Sequence, residues 1–208
     1  AVDVTLQYIA SSTSDNYVVR LNGVDDIRFQ NMTLSANTFP NSTYALVMEL
    51  VGGVEDLRLQ NNVLNGTPTN QSAGNQTILY ATNSLSASRI ISGNTFNDGS
   101  YAVYIAGVST SVLSSGTQVS NNTFTNQGYY GIFIQYQNAP QVNGNTITGS
   151  SANFAIYVQY CDNALQILKN KVSIGSNYGI YVQYCNGTIV SHGLVANNFV
   201  AIGGTTTA

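Results

Sequence analysis

The sequence predicts an all-β protein, specifically a right-handed parallel β-helix (solenoid) of about seven coils with 24–31 residues per coil. Three observations predict this fold. A strand-like segment recurs at a fixed spacing, an asparagine recurs between the copies, and the composition is rich in turn-forming residues but poor in charge.

The first pattern is a strand-like segment of seven residues that occurs three times at a spacing of 24 residues. Apolar residues alternate within it with Tyr, Phe or Gln, which is typical of a β-strand. The three close copies are Tyr130–Tyr136, Phe154–Tyr160 and Tyr178–Tyr184, and a looser copy covers residues 101–107. Twenty-four residues suit three short strands and three turns, which make one coil of a three-sided solenoid.

The second pattern is an asparagine that stands two residues before an apolar residue. Asparagine tolerates left-handed backbone, and its amide can bond the asparagine of the next coil. We therefore expect an asparagine ladder at a turn between two sheets. The units are Asn62-Val63-Leu64, Asn94-Thr95-Phe96, Asn122-Thr123-Phe124, Asn145-Thr146-Ile147, Asn170-Lys171-Val172 and Asn197-Asn198-Phe199.

The N-terminal repeats are longer, because Val24–Asn31 matches Val54–Asn61 at a spacing of 30 residues. One repeat cannot bury its apolar side alone, whereas stacked repeats bury a continuous core. With coils about 4.8 Å apart, seven coils give a rod about 35 Å long. Parallel crossovers are right-handed in nearly all proteins, which sets the hand.

The side chains that face the core follow from the alternation along each strand. Ile156 and Val158 share one parity, as do Ile180 and Val182 in the next copy, so we expect them to stack inward as an aliphatic ladder.

The composition excludes several classes of protein. Only 7% of the residues are charged while 43% are hydrophobic, which is unlike a disordered chain. The net charge is −3 and the six basic residues are scattered, so the sequence predicts no nucleic-acid binding. No apolar run approaches the roughly 20 residues of a membrane-spanning helix, so it predicts no membrane insertion.

These repeats resemble the right-handed parallel β-helices of pectate-lyase-like architecture. More narrowly, Asp15–Gly23 followed by Val24–Phe29 is similar to repeat regions of large bacterial surface proteins that are exported by the type IX route. The resemblance implies a secreted or cell-surface location. It does not specify an activity, because this architecture carries lyases, hydrolases, epimerases, adhesins and spacers alike.

We expect residues 1–208 to form a single β-helix domain that is a fragment of a longer chain. The sequence shows no capping helix at either end, although solenoids normally cover their open edges. Uncapped coils predict end-to-end self-association.

The first candidate site is an aromatic stripe on the outer side of the repeated strand. Three aromatic residues share one position in consecutive coils, and three glutamines share the next outward position. Aromatic faces pack against sugar rings and amides bond hydroxyls, so this stripe predicts polysaccharide binding. The alternative is that both rows only stabilise the coils by stacking. The six residues are Phe133, Tyr157, Tyr181, Gln135, Gln159 and Gln183.

A further tyrosine follows each glutamine, at Tyr136, Tyr160 and Tyr184. We expect these three residues to lie at a corner of the coil, with partly buried rings and hydrated hydroxyls.

The second candidate site is acidic, because Asp25 and Glu55, and likewise Asp26 and Asp56, occupy matching positions in neighbouring coils. Stacked carboxylates repel each other unless a cation or an arginine lies between them. These four could supply half of a calcium site. The alternative is a surface ion-pair ladder, since Arg28 and Arg58 recur with the acids; no other cofactor is indicated.

No catalytic residues are indicated. Glycoside hydrolysis needs two carboxyl groups at a defined separation on one face, and no such pair emerges from the repeats. His192 is the only histidine, which excludes a multi-histidine metal site.

Cys161 and Cys185 are 24 residues apart and therefore stack in adjacent coils. The spacing permits a disulfide, but in-register neighbours often have the wrong side-chain angle. We favour two free thiols that pack as small hydrophobic groups.

Three insertions lengthen the coils. Residues 35–43 and 65–77 follow equivalent apolar positions and should emerge from the same edge, and residues 108–117 should emerge elsewhere. The insertions either form a binding surface or are loops that lengthen at little cost in stability.

The sequence favours a non-catalytic secreted or cell-surface module, a stalk or adhesin that binds polysaccharide along its aromatic stripe. A carbohydrate-active enzyme, either a polysaccharide lyase or a glycoside hydrolase, is the first alternative. A self-associating fibre protein is the second.

Overall fold

The computed structural model describes residues 4–36, 43–69, 72–82, 85, 87–149, 152–175 and 177–203. Three parallel sheets run along the molecule, and the chain visits them in turn, one strand per sheet and coil. The predicted right-handed parallel β-helix of about seven coils is confirmed. The described residues include one short 3-10 helix, Gly74–Gln76, and no helix among them is long and apolar enough to cross a membrane.

The strands of each sheet succeed one another at intervals of one coil. Sheet 1 contains β1 (Val4–Gln7), β4 (Met32–Ser35), β7 (Val63–Asn65), β10 (Thr95–Asn97), β14 (Thr123–Thr125), β17 (Thr146–Gly149), β20 (Lys171–Ile174) and β23 (Phe199–Ile202). Sheet 2 contains β2 (Val19–Asn22), β5 (Met48–Val51), β8 (Leu79–Ala81), β11 (Tyr101–Ala106), β15 (Tyr130–Asn138), β18 (Phe154–Asp162) and β21 (Tyr178–Gln183). Sheet 3 contains β3 (Arg28–Gln30), β6 (Leu57–Gln60), β9 (Arg89–Ser92), β13 (Thr117–Ser120), β16 (Gln141–Asn143), β19 (Gln166–Leu168) and β22 (Leu194–Ala196). A two-residue strand, β12 (Ser114–Ser115), pairs with the end of β15.

The coils vary in length more than predicted. Equivalent asparagines of successive coils are 23 residues apart at the shortest and 32 at the longest. The extra residues lie in the turns, because the strands keep a constant register while the connections between them change.

The core is a set of side-chain columns, one for each inward position. In sheet 1, Leu34, Leu64, Phe96 and Phe124 stack in register and are fully buried, with the two phenyl rings 4.9 Å apart. Burying a side chain of this size stabilises the fold by about 1.5–3 kcal/mol.

The inward column predicted for sheet 2 is confirmed for Ile156 and Val158, which are fully buried. The burial of this column decreases at its C-terminal end, where Ile180 is half-buried and Val182 is 39% exposed. In the described chain no strand of sheet 2 follows β21, so nothing covers Val182 from the next coil.

One buried asparagine per coil lies at the turn between sheets 3 and 1. Each Nδ2 donates to the Oδ1 of the next asparagine at 2.9–3.1 Å, and that Oδ1 also accepts the backbone N–H of the same donor residue. A second bond from Nδ2 reaches a backbone carbonyl, as from Asn94 to Leu59 O at 2.7 Å. The members are Asn62, Asn94, Asn122, Asn145, Asn170 and Asn198.

Two details of the predicted asparagine units are wrong. The last member of the column is Asn198 rather than Asn197, because β23 pairs with β20 so that Val200 lies beside Val172. The left-handed residue is also not the hydrogen-bonding asparagine but the residue before it, such as Asn121 (φ 55°) or Asn197 (φ 58°). The turn therefore needs two adjacent specialised residues, one for backbone conformation and one for the column.

Of the three insertions, the first two include residues 37–42 and 70–71, which lie outside the described residues. In the third, Ser109 and Val112 form an antiparallel bridge and β12 joins sheet 2. This insertion leaves the coil after β11, away from the turns that follow β4 and β7, as predicted.

Candidate functional site

The outer side of sheet 2 carries a column of aromatic rings in register. The predicted alignment of Phe133, Tyr157 and Tyr181 is present, and Tyr80 and Tyr104 extend it towards the N-terminus. Neighbouring centroids in the column are 4.6–5.3 Å apart. The parallel register of the strands produces this stack, because residues one coil apart stand directly above one another.

A second aromatic column, which the sequence argument missed, lies beside the first. Its members are Tyr101, Tyr130, Phe154 and Tyr178. These residues stand three positions before the first column, a separation that would normally place them on the opposite side of a strand. A signal was present, since each copy of the repeat begins with an aromatic residue.

The two columns share one surface because the backbone departs from regular pairing between them. The residue after each second-column ring is Ala or Gly, and the strand register passes over it. At Gly131 this position faces the interior, where an added Cβ would lie 3.2 Å from the Cγ2 of Ile147 and 2.5 Å from the carbonyl oxygen of Ala155. A small residue is therefore required there.

Rings of the two columns also contact each other within each coil. Their centroids are 5.3 Å apart for Tyr130 and Phe133, 5.0 Å for Phe154 and Tyr157, and 5.4 Å for Tyr178 and Tyr181. The nine rings form one continuous surface, which we call the aromatic face.

Access to the aromatic face differs from ring to ring. Phe133 is only 4% exposed because Tyr104, Tyr130 and Tyr157 surround it, so this residue, predicted to bind ligand, has no free ring face to offer. Tyr178 is 46% exposed, and Tyr157 and Tyr181 are half-buried. The accessible part of the face is formed by tyrosines and Phe154.

The more buried tyrosine hydroxyls of the aromatic face are held in their neutral form. Burial raises the pKa of Tyr104, Tyr130 and Tyr157 above the ordinary value for tyrosine. Neutral hydroxyls remain able both to donate and to accept hydrogen bonds.

The glutamine row lies next to the first column, with Gln135, Gln159 and Gln183 in register. The Tyr157 hydroxyl lies 2.7 Å from Oε1 of Gln159 and 2.8 Å from Oε1 of Gln183, and donates to one of them at a time. These contacts turn the two carbonyl oxygens towards the tyrosine and leave the amide N–H groups to donate elsewhere.

The three remaining tyrosines of the repeat lie at a corner, as predicted. Tyr136, Tyr160 and Tyr184 adopt left-handed backbone (φ 55°, 50° and 52°), and their rings stack at 5.5 and 5.0 Å. Tyr184 is 61% exposed. This corner column lies outside the aromatic face.

The acidic candidate does not form a calcium site. Asp25 and Glu55 are backbone partners, but the four acids do not come together, and the described part of the chain contains no group of three or more His, Cys, Asp or Glu residues that could hold a metal. Asp26 and Asp56 are instead left-handed turn residues, and Arg28 lies 3.9 Å from Asp26 as a surface ion pair. The ion-pair interpretation is therefore the better one.

Cys161 and Cys185 are free thiols in adjacent coils, next to each other, as favoured from the sequence. Each thiol donates to the carbonyl two residues before it at 3.3 Å, and the backbone N–H of Cys161 donates to the Sγ of Cys185 at 3.3 Å. Burial raises the pKa of the Cys161 thiol, which keeps it protonated.

The family model described as NosD, periplasmic copper-binding protein, matches residues 51–208, about three quarters of the chain. The chain belongs to the NosD family. Among solved structures it is similar to the Streptococcus pneumoniae surface protein and adhesin PfbA, with 12% sequence identity and a TM-score of 0.47. The alignment covers 85% of this chain and 49% of PfbA, so the chain spans about half the length of that protein. A search of curated proteins found no significant match.

The described residues of this NosD-family chain do not form a copper centre of three or more ligands. Copper in proteins is bound by imidazole, thiolate or thioether groups. His192 is exposed and stands outside any cluster of potential ligands in the described chain. Cys161 and Cys185 form a pair, and among the described residues no third His, Cys, Asp or Glu joins them in a group that could hold a metal.

Proposed function

We propose that this NosD-family chain is a non-catalytic, extracytoplasmic β-helix module that binds a polysaccharide across its aromatic face. The observation that supports the proposal is the double column of nine aromatic rings beside a row of glutamines. The apolar faces of sugar rings pack on aromatic rings, while hydroxyls bond amide groups and tyrosine hydroxyls.

The spacing of the columns suits a polymer. Coils follow each other about every 4.8 Å, which is close to the length of one pyranose unit in an extended glycan. A chain that runs along the helix axis would meet equivalent rings at each coil. Each sugar residue would thereby make similar contacts, and no pocket for a single sugar residue is needed.

The charge distribution favours a neutral glycan. At its N-terminal end the first column continues as Glu49 and then Arg20, which pair with each other at 3.1 Å. The face itself carries no charged residue in the described chain, since its pKa-shifted tyrosines are neutral. Uronic acid or sulfated polysaccharides would lack a cationic partner here, because recognition of such anions relies on Arg or Lys.

The family is described as periplasmic. This description supports an extracytoplasmic location, while type IX export stays a prediction. Nothing in the site geometry favours the enzyme alternative over binding.

The test is affinity electrophoresis in gels that contain neutral polysaccharides (xyloglucan, galactomannan and mixed-linkage β-glucan) or the anionic polymers pectin and alginate. The parent runs beside Tyr178→Ala/Tyr181→Ala, which removes the exposed rings of one coil. Tyr184→Ala is the control, because it deletes a tyrosine that is even more exposed and lies outside the aromatic face. Thermal unfolding of all three establishes that they are folded.

We expect a neutral gel to retard the parent and Tyr184→Ala, and the double variant to bind at least tenfold more weakly, a loss of about 1.4 kcal/mol. Equal retardation of all three would place any glycan site elsewhere. No retardation of the parent in any gel would overturn the proposal and leave the columns as packing alone.

A further inference from the structure

A cavity lies at the corner between sheets 1 and 2, outside the aromatic face. It has a volume of about 350 Å³, within the range of small-molecule sites. Three coils contribute to it through outward residues at the ends of β7, β10 and β14, which are Asn65, Asn97 and Thr125. Asp98 and Asn126, both in left-handed conformation, close it from the turns that follow.

The cavity has a rigid wall because backbone packs directly on backbone there. A Cβ added at Gly66 would lie 2.9 Å from the Cα of Gly99, so no side chain fills this space. Hydrogen bonds from Gly66 to Asn97 O (2.9 Å), Gly99 to Thr67 O (3.0 Å) and Asp98 to Thr125 O (2.8 Å) tie the neighbouring coils together. The cavity is therefore preformed.

The polar groups that line it are ordered for recognition. Asn97 Nδ2 donates to Asn65 Oδ1 at 2.9 Å, which orients both amides. Within the described part of the chain, no group donates a hydrogen bond to the Asp98 carboxylate and no cation pairs with it. Partial burial raises the pKa of Asp98, as expected for a carboxylate that has lost water without gaining a partner.

We infer that this cavity binds one neutral sugar residue, whose adjacent hydroxyls donate to the Asp98 carboxylate and accept from the asparagine amides. The carboxylate only accepts hydrogen bonds and the amides both donate and accept. A hydroxylated ligand meets both needs, whereas an anionic ligand would be repelled by Asp98. A bare metal ion would leave most of the volume unfilled and would have one charged ligand.

This site is independent of the proposed glycan binding on the aromatic face. The cavity is formed by the ends of sheet 1 strands and the turns after them, whereas the aromatic face stands on sheet 2, and the two share no residue. Either can therefore fail without the other.

The experiment is a titration of the ¹⁵N-labelled chain with D-glucose, D-galactose, D-mannose and N-acetyl-D-glucosamine, followed through the side-chain amide signals of Asn65, Asn97 and Asn126. Asp98→Asn keeps the size and the left-handed tolerance of the residue but removes its charge. Asp56→Asn is the matched control, because Asp56 is also an aspartate in left-handed conformation (φ 48°) and is exposed.

We expect at least one sugar to shift these signals with a Kd of about 1–10 mM, as is usual for a single small residue. Asp98→Asn should raise that Kd at least tenfold, while Asp56→Asn and Tyr178→Ala/Tyr181→Ala should leave it unchanged. Asp98→Asn should also be retarded like the parent in polysaccharide gels, which separates this site from the aromatic face.

Three results would overturn the inference. The first is the absence of any shift with all four sugars, and the second is an equal Kd for Asp98→Asn and the parent. The third is a shift of the same signals by calcium chloride alone, which would make the cavity a cation site instead.

Discussion

Replacing Asn122 with alanine should remove one link from the middle of the buried asparagine column. In the parent, Asn122 Nδ2 donates to Asn145 Oδ1 at 3.1 Å and to Ile91 O at 2.9 Å. Its Oδ1 accepts the backbone N–H of Asn94 at 2.9 Å and the Nδ2 of Asn94 at 3.0 Å. Alanine makes none of these bonds, and the surrounding groups are buried.

The largest loss falls on the backbone N–H of Asn94, which loses its acceptor, while the carbonyl of Ile91 loses one of the bonds it accepts. Each buried polar group left without its partner costs about 1–3 kcal/mol. The Nδ2 of Asn94 keeps its bond to Leu59 O, and the Oδ1 of Asn145 keeps the backbone N–H of Asn122, so their losses are partial. We expect the free energy of unfolding to fall by about 3–5 kcal/mol, a large share of the usual 5–15 kcal/mol.

Urea unfolding followed by circular dichroism measures this change. The control is Gln60→Ala, which deletes a partly exposed amide bonded to Ser92 Oγ at 3.2 Å on the outer side of sheet 3. That control should lose less than about 1 kcal/mol. If Asn122→Ala lost no more than the control, the column would not stabilise the coils and its burial would need another explanation.

Three further predictions concern the core, the thiols and the corner cavity. Val158→Asp should unfold the chain or lower its free energy of unfolding by more than about 3 kcal/mol. Val182→Asp, at a 39% exposed position, should lower the free energy of unfolding much less in the same urea assay. Equal losses would refute the assignment of Val158 to the core. Iodoacetamide at neutral pH should label Cys185 and spare Cys161, because burial raises the pKa of Cys161 while its hydrogen bonds to Cys185 lower the pKa of that thiol; peptide mass spectrometry showing faster labelling of Cys161 would contradict this. Because the folded-state pKa of Asp98 is raised, its ionisation opposes folding as pH rises through that value, so Asp98→Asn should gain stability relative to the parent at neutral pH and lose that advantage in acid.

Much of the fold could be predicted from the sequence, because a repeat of constant length determines strand register directly. Residues 24 apart, such as Ile132 and Ile156, are paired in the structure as expected. The prediction became less accurate where coil length changed, since an insertion hides the register. The displaced assignment at Asn197 arose in this way, because two consecutive asparagines fit the pattern equally well.

The candidate site was only partly predictable. Strict alternation places Tyr130 and Phe133 on opposite sides of a strand, and only the irregular backbone at Gly131 brings both rings to one surface. The burial of Phe133 depends on rings from three coils, which no single repeat reveals.

Arg89 shows the same limit of prediction from the sequence. It stands in the inward column of sheet 3 between Leu57 and Thr117 and is fully buried, with its pKa lowered to about 10 by burial.

The direction of the inter-coil bonds also determines how the molecule responds to force. The sheet hydrogen bonds and the asparagine column all join one coil to the next along the helix axis. When the two ends of the chain are pulled apart, the force acts on the bonds of one coil at a time. The coils therefore separate one after another, and their bonds are not loaded together in shear. Each coil of 23–32 residues would then release a contour length of about 75–115 Å when it opens, so the coil is the unit in which the rod lengthens under tension.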